Sequence, residues 1–352
     1  MARYLGGLLT ADESQVLPSD NYQDTSGNGV FTSDEQYLLN KSNRWPTPGN
    51  IYVTQQIGLF FGGSAGAGGQ NYIDQRNLSS TGNASDFGDM SAGKYNASAL
   101  GNNTRAIVGG GYASSAINVI EYVTFASASN TTDFGDLSAV RFTSATGSNR
   151  TRGLFLGGSS ASAAVNIIEY ITIASTGNAT DFGDLLMAVS YVAGSLCSPT
   201  RSVTAGGFDE GGGAFSNVLQ YVTTASTGNA TDFGDLSQVF YNGSGVSSST
   251  RGIVGAGYFG GASNILEYIT IASTGDSTDF GDLTVARQQG AAASGSTYGV
   301  FAGGYNLSGS FINVMDYVTI SSVGNATDFG DLVNARGYMI NSGCSSSHGG
   351  LQ

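Results

Sequence analysis

The phrase Asp-Phe-Gly-Asp-Leu recurs six times along this chain of 352 residues, with Met in place of Leu in the first copy. The copies begin at Asp86, Asp133, Asp181, Asp232, Asp279 and Asp328, at intervals of 47 to 51 residues. Short apolar and β-branched runs fill the intervals. A period of this length built from strands reads as a blade repeated around an axis.

One unit, residues 250–283, shows the pattern. Thr-Arg-Gly-Ile-Val-Gly-Ala-Gly-Tyr is followed by a loop and then by Asn-Ile-Leu-Glu-Tyr-Ile-Thr-Ile-Ala. The second block is β-branched and aromatic, and it is apolar at most positions, as in a strand covered on both faces. Ser-Thr-Gly-Asp then offers residues that tolerate positive φ, a hairpin turn into the strand carrying the phrase. A run of small residues, such as Gly290-Ala291-Ala292-Ala293-Ser294, leads into the next unit. Each unit thus supplies four strands: small residues, Gly-Gly, Glu-Tyr, and the phrase. The Gly-Gly pairs, from Gly62-Gly63 to Gly303-Gly304, read as close backbone approach where strands crowd near the axis.

The register at the ends is offset. The first unit lacks its small-residue strand, and Met339–Cys344 supplies one with no Gly-Gly strand after it. The two fragments complete one blade. The expected fold is all-β, a six-bladed β-propeller over residues 51–352 whose C-terminal strand closes the first blade and removes its free edge.

Residues 1–50 do not carry the repeat. They hold Pro18, Pro46 and Pro48, three of the chain's four prolines, and its only tryptophan, Trp45. Ser33 and Gln36 form a capping box that opens a short helix near 33–42, through Tyr37 and Leu38. Such a helix is marginal alone and needs a surface to pack on. The expectation is an anchoring arm whose partner-binding residues are Phe31, Tyr37, Leu38 and Trp45.

Net charge is −13, and the phrases supply twelve of the 26 acidic residues. The acidity is therefore periodic, and a nucleic-acid-binding face is disfavoured. No run approaches the ~20 apolar residues of a membrane span. The opening apolar run is too short for a secretory signal. Cys197 and Cys344 fall on blades four and one, across the ring, too far apart to be bridged.

Candidate chemistry is sparse. Asp86 and Asp89, Asp133 and Asp136, and their equivalents offer oxygen ligands for Ca²⁺, set against turns in which Asp accepts backbone N–H bonds. Arg105, Arg152, Arg201 and Arg251 share one repeat position, held elsewhere by Tyr298 and His348. Lys94, Arg141, Arg287 and Arg336 share another. One of these sets is expected to pair with a phrase Asp and fix blade register. The single histidine, His348, has no nucleophile and acid assigned to it by sequence, so no enzymatic role is expected. The glycines lack the Lys-Ser/Thr of a phosphate loop. Sequons such as Asn178 read as turn residues. Loop tips vary between blades, and Phe208, Tyr258, Phe259 and Tyr305 are the candidate ligand-loop aromatics.

The repeat Thr-Arg-Gly-x-x-x-Gly-Gly, followed by Asn-x-Ile-Glu-Tyr-Ile-Thr-Ile-Ala-Ser-Thr-Gly-Asn-Ala-Thr-Asp-Phe-Gly-Asp-Leu, resembles kelch-like repeat virion and tail proteins of marine tailed phages, of the cyanophage type. The ending Ser-Ser-Ser-His-Gly-Gly-Leu-Gln (345–352) and the N-terminal Gly29-Val30-Phe31-Thr32, Asp34–Tyr37 and Trp45-Pro46 are similar to theirs. The repeats depart from cellular kelch domains in holding no Trp. The resemblance implies a structural virion component on the tail or capsid surface, without cofactor, in several symmetric copies among other virion proteins. It also implies contact with the host surface. The alternative is a glycan-binding, lectin-like receptor module.

Overall fold

The computed structural model describes residues 56–66, 68–160, 163–209 and 213–351. The arm residues Phe31, Tyr37, Leu38 and Trp45 and the helix near 33–42 lie outside the described residues.

Six antiparallel sheets surround one axis as a six-bladed β-propeller. Blade 2 is representative: Ser98–Gly101 innermost, then Arg105–Gly109, Val119–Thr124 and Thr132–Asp136. The innermost strands of blades 3 to 6 are Ala145–Ser148, Gly194–Cys197, Ser244–Ser247 and Ala291–Ser294. Blade 1 takes its innermost strand from the other end of the chain. Gly343–Ser345 runs antiparallel to Ile57–Phe61, with Leu59 opposite Cys344. The expected closure is therefore present.

The innermost strands are rich in Ala, Ser and Gly, because six of them meet side by side around the axis. The Gly-Gly pairs do a different job from the one expected. In most blades they end the second strand in a left-handed turn rather than lining the axis; in blade 4 Gly206-Gly207 form a bulge within Arg201–Asp209. Gly110 has φ 62°, and a Cβ there would run into the Arg141 carbonyl.

The phrase is a blade-to-blade joint. Its Phe packs into the next blade: Phe134 of blade 2 is buried with Phe155, Ile171 and Ile173 of blade 3. Its backbone then bonds the next blade's turn. Gly177 N–H donates to Phe134 O at 2.7 Å, and Ala179 N–H to Asp136 O at 2.8 Å. The Asp136 amide donates to Asn178 Oδ1 at 3.0 Å. The ring closes the same way, with Gly82 and Ala84 of blade 1 donating to Phe329 O and Asp331 O of blade 6. The expected roles are thus reversed. The second Asp contributes its backbone, and the neighbouring blade's Asn side chain satisfies its N–H. The phrase Gly is required because a Cβ on Gly135 (φ 144°) would lie 2.5 Å from the Gly177 carbonyl oxygen.

The cations also depart from expectation, since neither set pairs with a phrase Asp. The second set forms buried ion pairs with the acid on the third strand of the following blade: Lys94–Glu121, Arg141–Glu169, Arg287–Asp316 and Arg336–Asp74. Two joints carry no cation, with Val189 and Phe240 in its place, and both solve the resulting problem. Opposite Val189 the acid is replaced by neutral Gln220, which accepts the Leu186 amide at 2.8 Å. Opposite Phe240 the buried Glu267 is held by the Ser237 and Ser277 hydroxyls. A buried carboxylate must be paired or fully hydrogen-bonded. Burial alone would raise the Glu121 carboxyl, but Lys94 and the Ser91 bonds outweigh it and hold it below its ordinary value. At Asp74, with Arg336 at 3.3 Å, burial wins and the carboxyl is raised.

The first Arg set stacks instead. Arg105, Arg152, Arg201 and Arg251 lie 4.4 to 4.6 Å over Tyr122, Tyr170, Tyr221 and Tyr268 of their own blades. Each reaches a backbone carbonyl of the next blade, as Arg105 Nη1 does to Ile173 O at 3.0 Å. The planar guanidinium suits stacking and bonding together.

Two predictions follow from the joints. Gly135→Ala lowers stability by about 1–3 kcal/mol through clash and φ strain, whereas Gly177→Ala, with open space at its Cβ, costs clearly less; thermal melts of the two variants separate them. Glu169→Ala, which strands the Arg141 charge, costs about 3–5 kcal/mol. The double variant Arg141→Val with Glu169→Gln, copying the joint between blades 3 and 4, recovers most of that loss in denaturant titrations.

Candidate functional site

The innermost strands all run in one direction, so the propeller has two distinct ends. At their start lies a ring of left-handed residues: Asn96, Thr143, Tyr191, Asn242, Gln289 and Tyr338, with φ between 50° and 59°. Positive φ is uncommon outside glycine and concentrates at functional or strained positions. These residues are chained by hydrogen bonds. Asn96 N–H donates to Tyr338 O, Thr143 to Asn96 O, Asn242 to Tyr191 O, Gln289 to Asn242 O and Met339 to Gln289 O. Tyr191 N–H reaches Thr143 Oγ1 at 3.2 Å. The ring collars the axis at this end.

Beside the collar, the residue ahead of each left-handed position bridges to the hairpin tip of the following blade. The pairs are Tyr95–Tyr112, Phe142–Ser159, Tyr241–Tyr258 and Gly337–Ser64 as isolated bridges, with Ser190–Phe208 and Gln288–Tyr305 in short strands. The backbone register is common to all six; two pairs are Tyr–Tyr, and the other four differ from these and from one another. This is a rigid frame carrying variable residues, the arrangement from which binding surfaces are built.

Three of the expected ligand-loop aromatics, Phe208, Tyr258 and Tyr305, occupy that one register position in blades 4, 5 and 6, and Phe259 adjoins it. The structure links them through rings that sequence reasoning missed. Phe208 packs on Phe215, Phe215 stacks on Tyr241 at 4.1 Å and 3°, and Tyr241 meets Tyr258 at 5.1 Å. A second arc runs Phe311–Tyr305–Tyr338–Tyr95–Tyr112–Phe142–Tyr191, with centroids 5.0 to 6.4 Å apart. Most of these rings are half-buried, while Phe215 and Phe259 are 43% and 49% exposed. Burial and the neighbouring phenols push the Tyr95 and Tyr241 hydroxyls up, so both remain neutral donors at ordinary pH. The missed residues had a signal, since Tyr95, Phe142 and Tyr241 directly follow the second repeat cation or its substitute.

The other end of the axis is plugged. After Ser345 the chain turns across it, and Gly349–Leu351 forms a single 3₁₀ turn. His348 aligns with the stacking arginines in sequence but leaves the blade and enters the axial region, where Nε2 meets Gly101 O at 2.7 Å. Between plug and collar lies a cavity of about 50 Å³ lined by the innermost strands.

The calcium candidates stay apart from both ends. Asp86 and Asp133 are exposed, and Asp89 and Asp136 half-exposed, on the outer strands. Among the described residues no three His, Cys, Asp or Glu side chains group as a metal centre. Among them too, no helix is long and apolar enough to cross a membrane.

The site and fold define a β-propeller with one aromatic, variable end. Neither the protein-family models nor the curated proteins searched match this chain.

Proposed function

We propose that this chain is a structural virion component of a tailed phage, held in the particle through residues 1–50, with the propeller displayed outward and its aromatic end toward the host surface. One observation carries the display role. The repeated polar residues that make side-chain contacts are used in blade-to-blade joints, and the variable tips gather at one end of a rigid frame. The virion assignment rests on the resemblance of the repeat and of the N-terminal segment. The partners are other virion proteins in a symmetric assembly.

A second reading, glycan recognition by the aromatic end, is favoured by the exposed Phe215 and Phe259 flanking the Tyr241–Tyr258 pair. Aromatic faces pack well against the apolar faces of sugars, and Tyr hydroxyls and Gln288 add polar contacts.

Deletion of residues 1–50 abolishes incorporation into particles, scored by immunoblot of purified virions; retained incorporation overturns the anchoring role. On a glycan array, Phe215→Ala combined with Tyr258→Ala weakens any captured glycan at least about tenfold, a loss of ~1.4 kcal/mol. Unchanged affinity removes the aromatic end as the binding surface.

A further inference from the structure

Cys197 ends the innermost strand of blade 4, and the C-terminal plug brings His348 onto it. Sγ lies 3.3 Å from His348 Nδ1 and 3.6 Å from Ser247 Oγ. His348 Nε2 faces Gly101 O at 2.7 Å and Ser148 Oγ at 3.2 Å. A carbonyl can only accept, so Nε2 carries a proton. Nδ1 is then left to exchange a proton with the thiol: S–H donates to it in the neutral form, and it donates to the thiolate in the ionised form. The Gly350 amide donates to the unprotonated Nδ1 at 3.1 Å and also reaches the Cys197 sulfur, so it supports whichever of the two is without the proton. Such a Cys–His contact is the arrangement that activates sulfur as a nucleophile.

The pair is also placed to meet a ligand. Both residues line the axial cavity, and Cys197 is half-buried. Ser244 lines the same cavity, is 1% exposed, and has an Oγ with no hydrogen-bond partner. An unpaired buried hydroxyl points to a polar occupant. Cys344 lines the far side but is buried against apolar neighbours and has no histidine.

We propose that Cys197 is a modification site, a histidine-activated thiol that takes small disulfides from the axial cavity while Cys344 stays inert. The Cys197 thiolate attacks one sulfur of the disulfide. The new Sγ–S bond forms as the reagent's S–S bond breaks, and the departing thiolate takes the proton from His348 Nδ1. Nothing else is oxidised or reduced. The mixed disulfide parts Sγ from His348, so the adduct also loosens the plug that closes the axis.

The acid–base behaviour of the pair agrees with this. Burial would raise the Cys197 thiol, but His348, with the Ser247 and Gly350 bonds, outweighs burial and brings it down to about 7. The His348 imidazole is raised: burial acts against it, and the sulfur and Gly101 overcome that. Burial pushes Cys344 far above the ordinary thiol value. Among the described residues the other titratable or charged groups near the pair are Cys344 across the cavity and Arg150, which donates to Leu351 O. The remaining lining side chains are Ser, Thr, Ala, Leu and Asn.

The test is treatment of the folded full-length protein with bis(2-hydroxyethyl) disulfide, followed by peptide mapping and a pH–rate profile on Cys344→Ser. The expected result is one adduct, on Cys197, reversed by dithiothreitol, absent in Cys197→Ser and lowering the melting temperature. The rate rises with a midpoint near pH 7, and in His348→Gln that midpoint moves toward the ordinary thiol value of about 8.5. If the histidine variant fails to fold, the profile of Cys344→Ser decides alone. No adduct on folded protein, equal labelling of Cys344 in wild type, or a midpoint near 8.5 in Cys344→Ser overturns the proposal.

Discussion

The structure depends on the joint between the outer strand of one blade and the turn of the next. A four-stranded sheet has an outer edge with unpaired backbone groups, and a propeller must dispose of six such edges. Here five of the six phrases give up two carbonyls and one amide to the neighbouring blade, as Phe134, Asp136 and Asn178 show; the first gives the Asp89 carbonyl and amide. Glycine is obligatory at the crossing point because two backbones touch there. The buried cation and acid behind the joint add specificity of register more than stability, since buried pairs are costly to desolvate. Where the cation is missing, the acid is replaced by neutral Gln220 or its oxygens are held by hydroxyls, as at Glu267, so each buried acceptor keeps a partner.

That economy leaves little repeated chemistry for function. Variation is concentrated where the left-handed collar turns the chain from one blade into the next. Holding non-glycine residues at positive φ costs roughly 1 kcal/mol or more each, and the collar spends it at six positions on one end. The aromatics that follow are thereby fixed in a common plane of attachment, with differing side chains on equivalent backbones.

The blade count, the four strands per blade and the closure of the first blade by a C-terminal strand were legible in the sequence, because period and strand pattern are local signals repeated six times; that strand is Gly343–Ser345, displaced toward the C-terminal end of the expected Met339–Cys344. The use of each polar residue was not. Lys94 ends the phrase strand of blade 1 and Arg141 follows that of blade 2, yet their partners Glu121 and Glu169 come from the next repeat, at a distance that depends on blade packing. Spacing within one repeat cannot report it. Sequence alignment likewise equated His348 with stacking arginines such as Arg251. The chain ahead of it has already filled the innermost strand of blade 1, so His348 is carried to the axis and onto Cys197, 151 residues away. The Tyr95–Tyr338 arc escaped notice because its members come from different repeat positions: collar residues such as Tyr338, the residues ahead of them such as Tyr95, and hairpin tips such as Tyr112.

Blade 1 has a further consequence in time. Its Ile57–Phe61 strand emerges long before Gly343–Ser345, the strand that covers its inner edge. A ribosome adding about 5–20 residues per second leaves that edge bare for on the order of tens of seconds. The thermodynamic toll of so long a loop is slight, because closure entropy grows only logarithmically. The exposure is kinetic. Until its own closing strand is made, the Gly58–Phe60 edge is open to that of another chain, and strand exchange between rings is the misassembly this topology exposes.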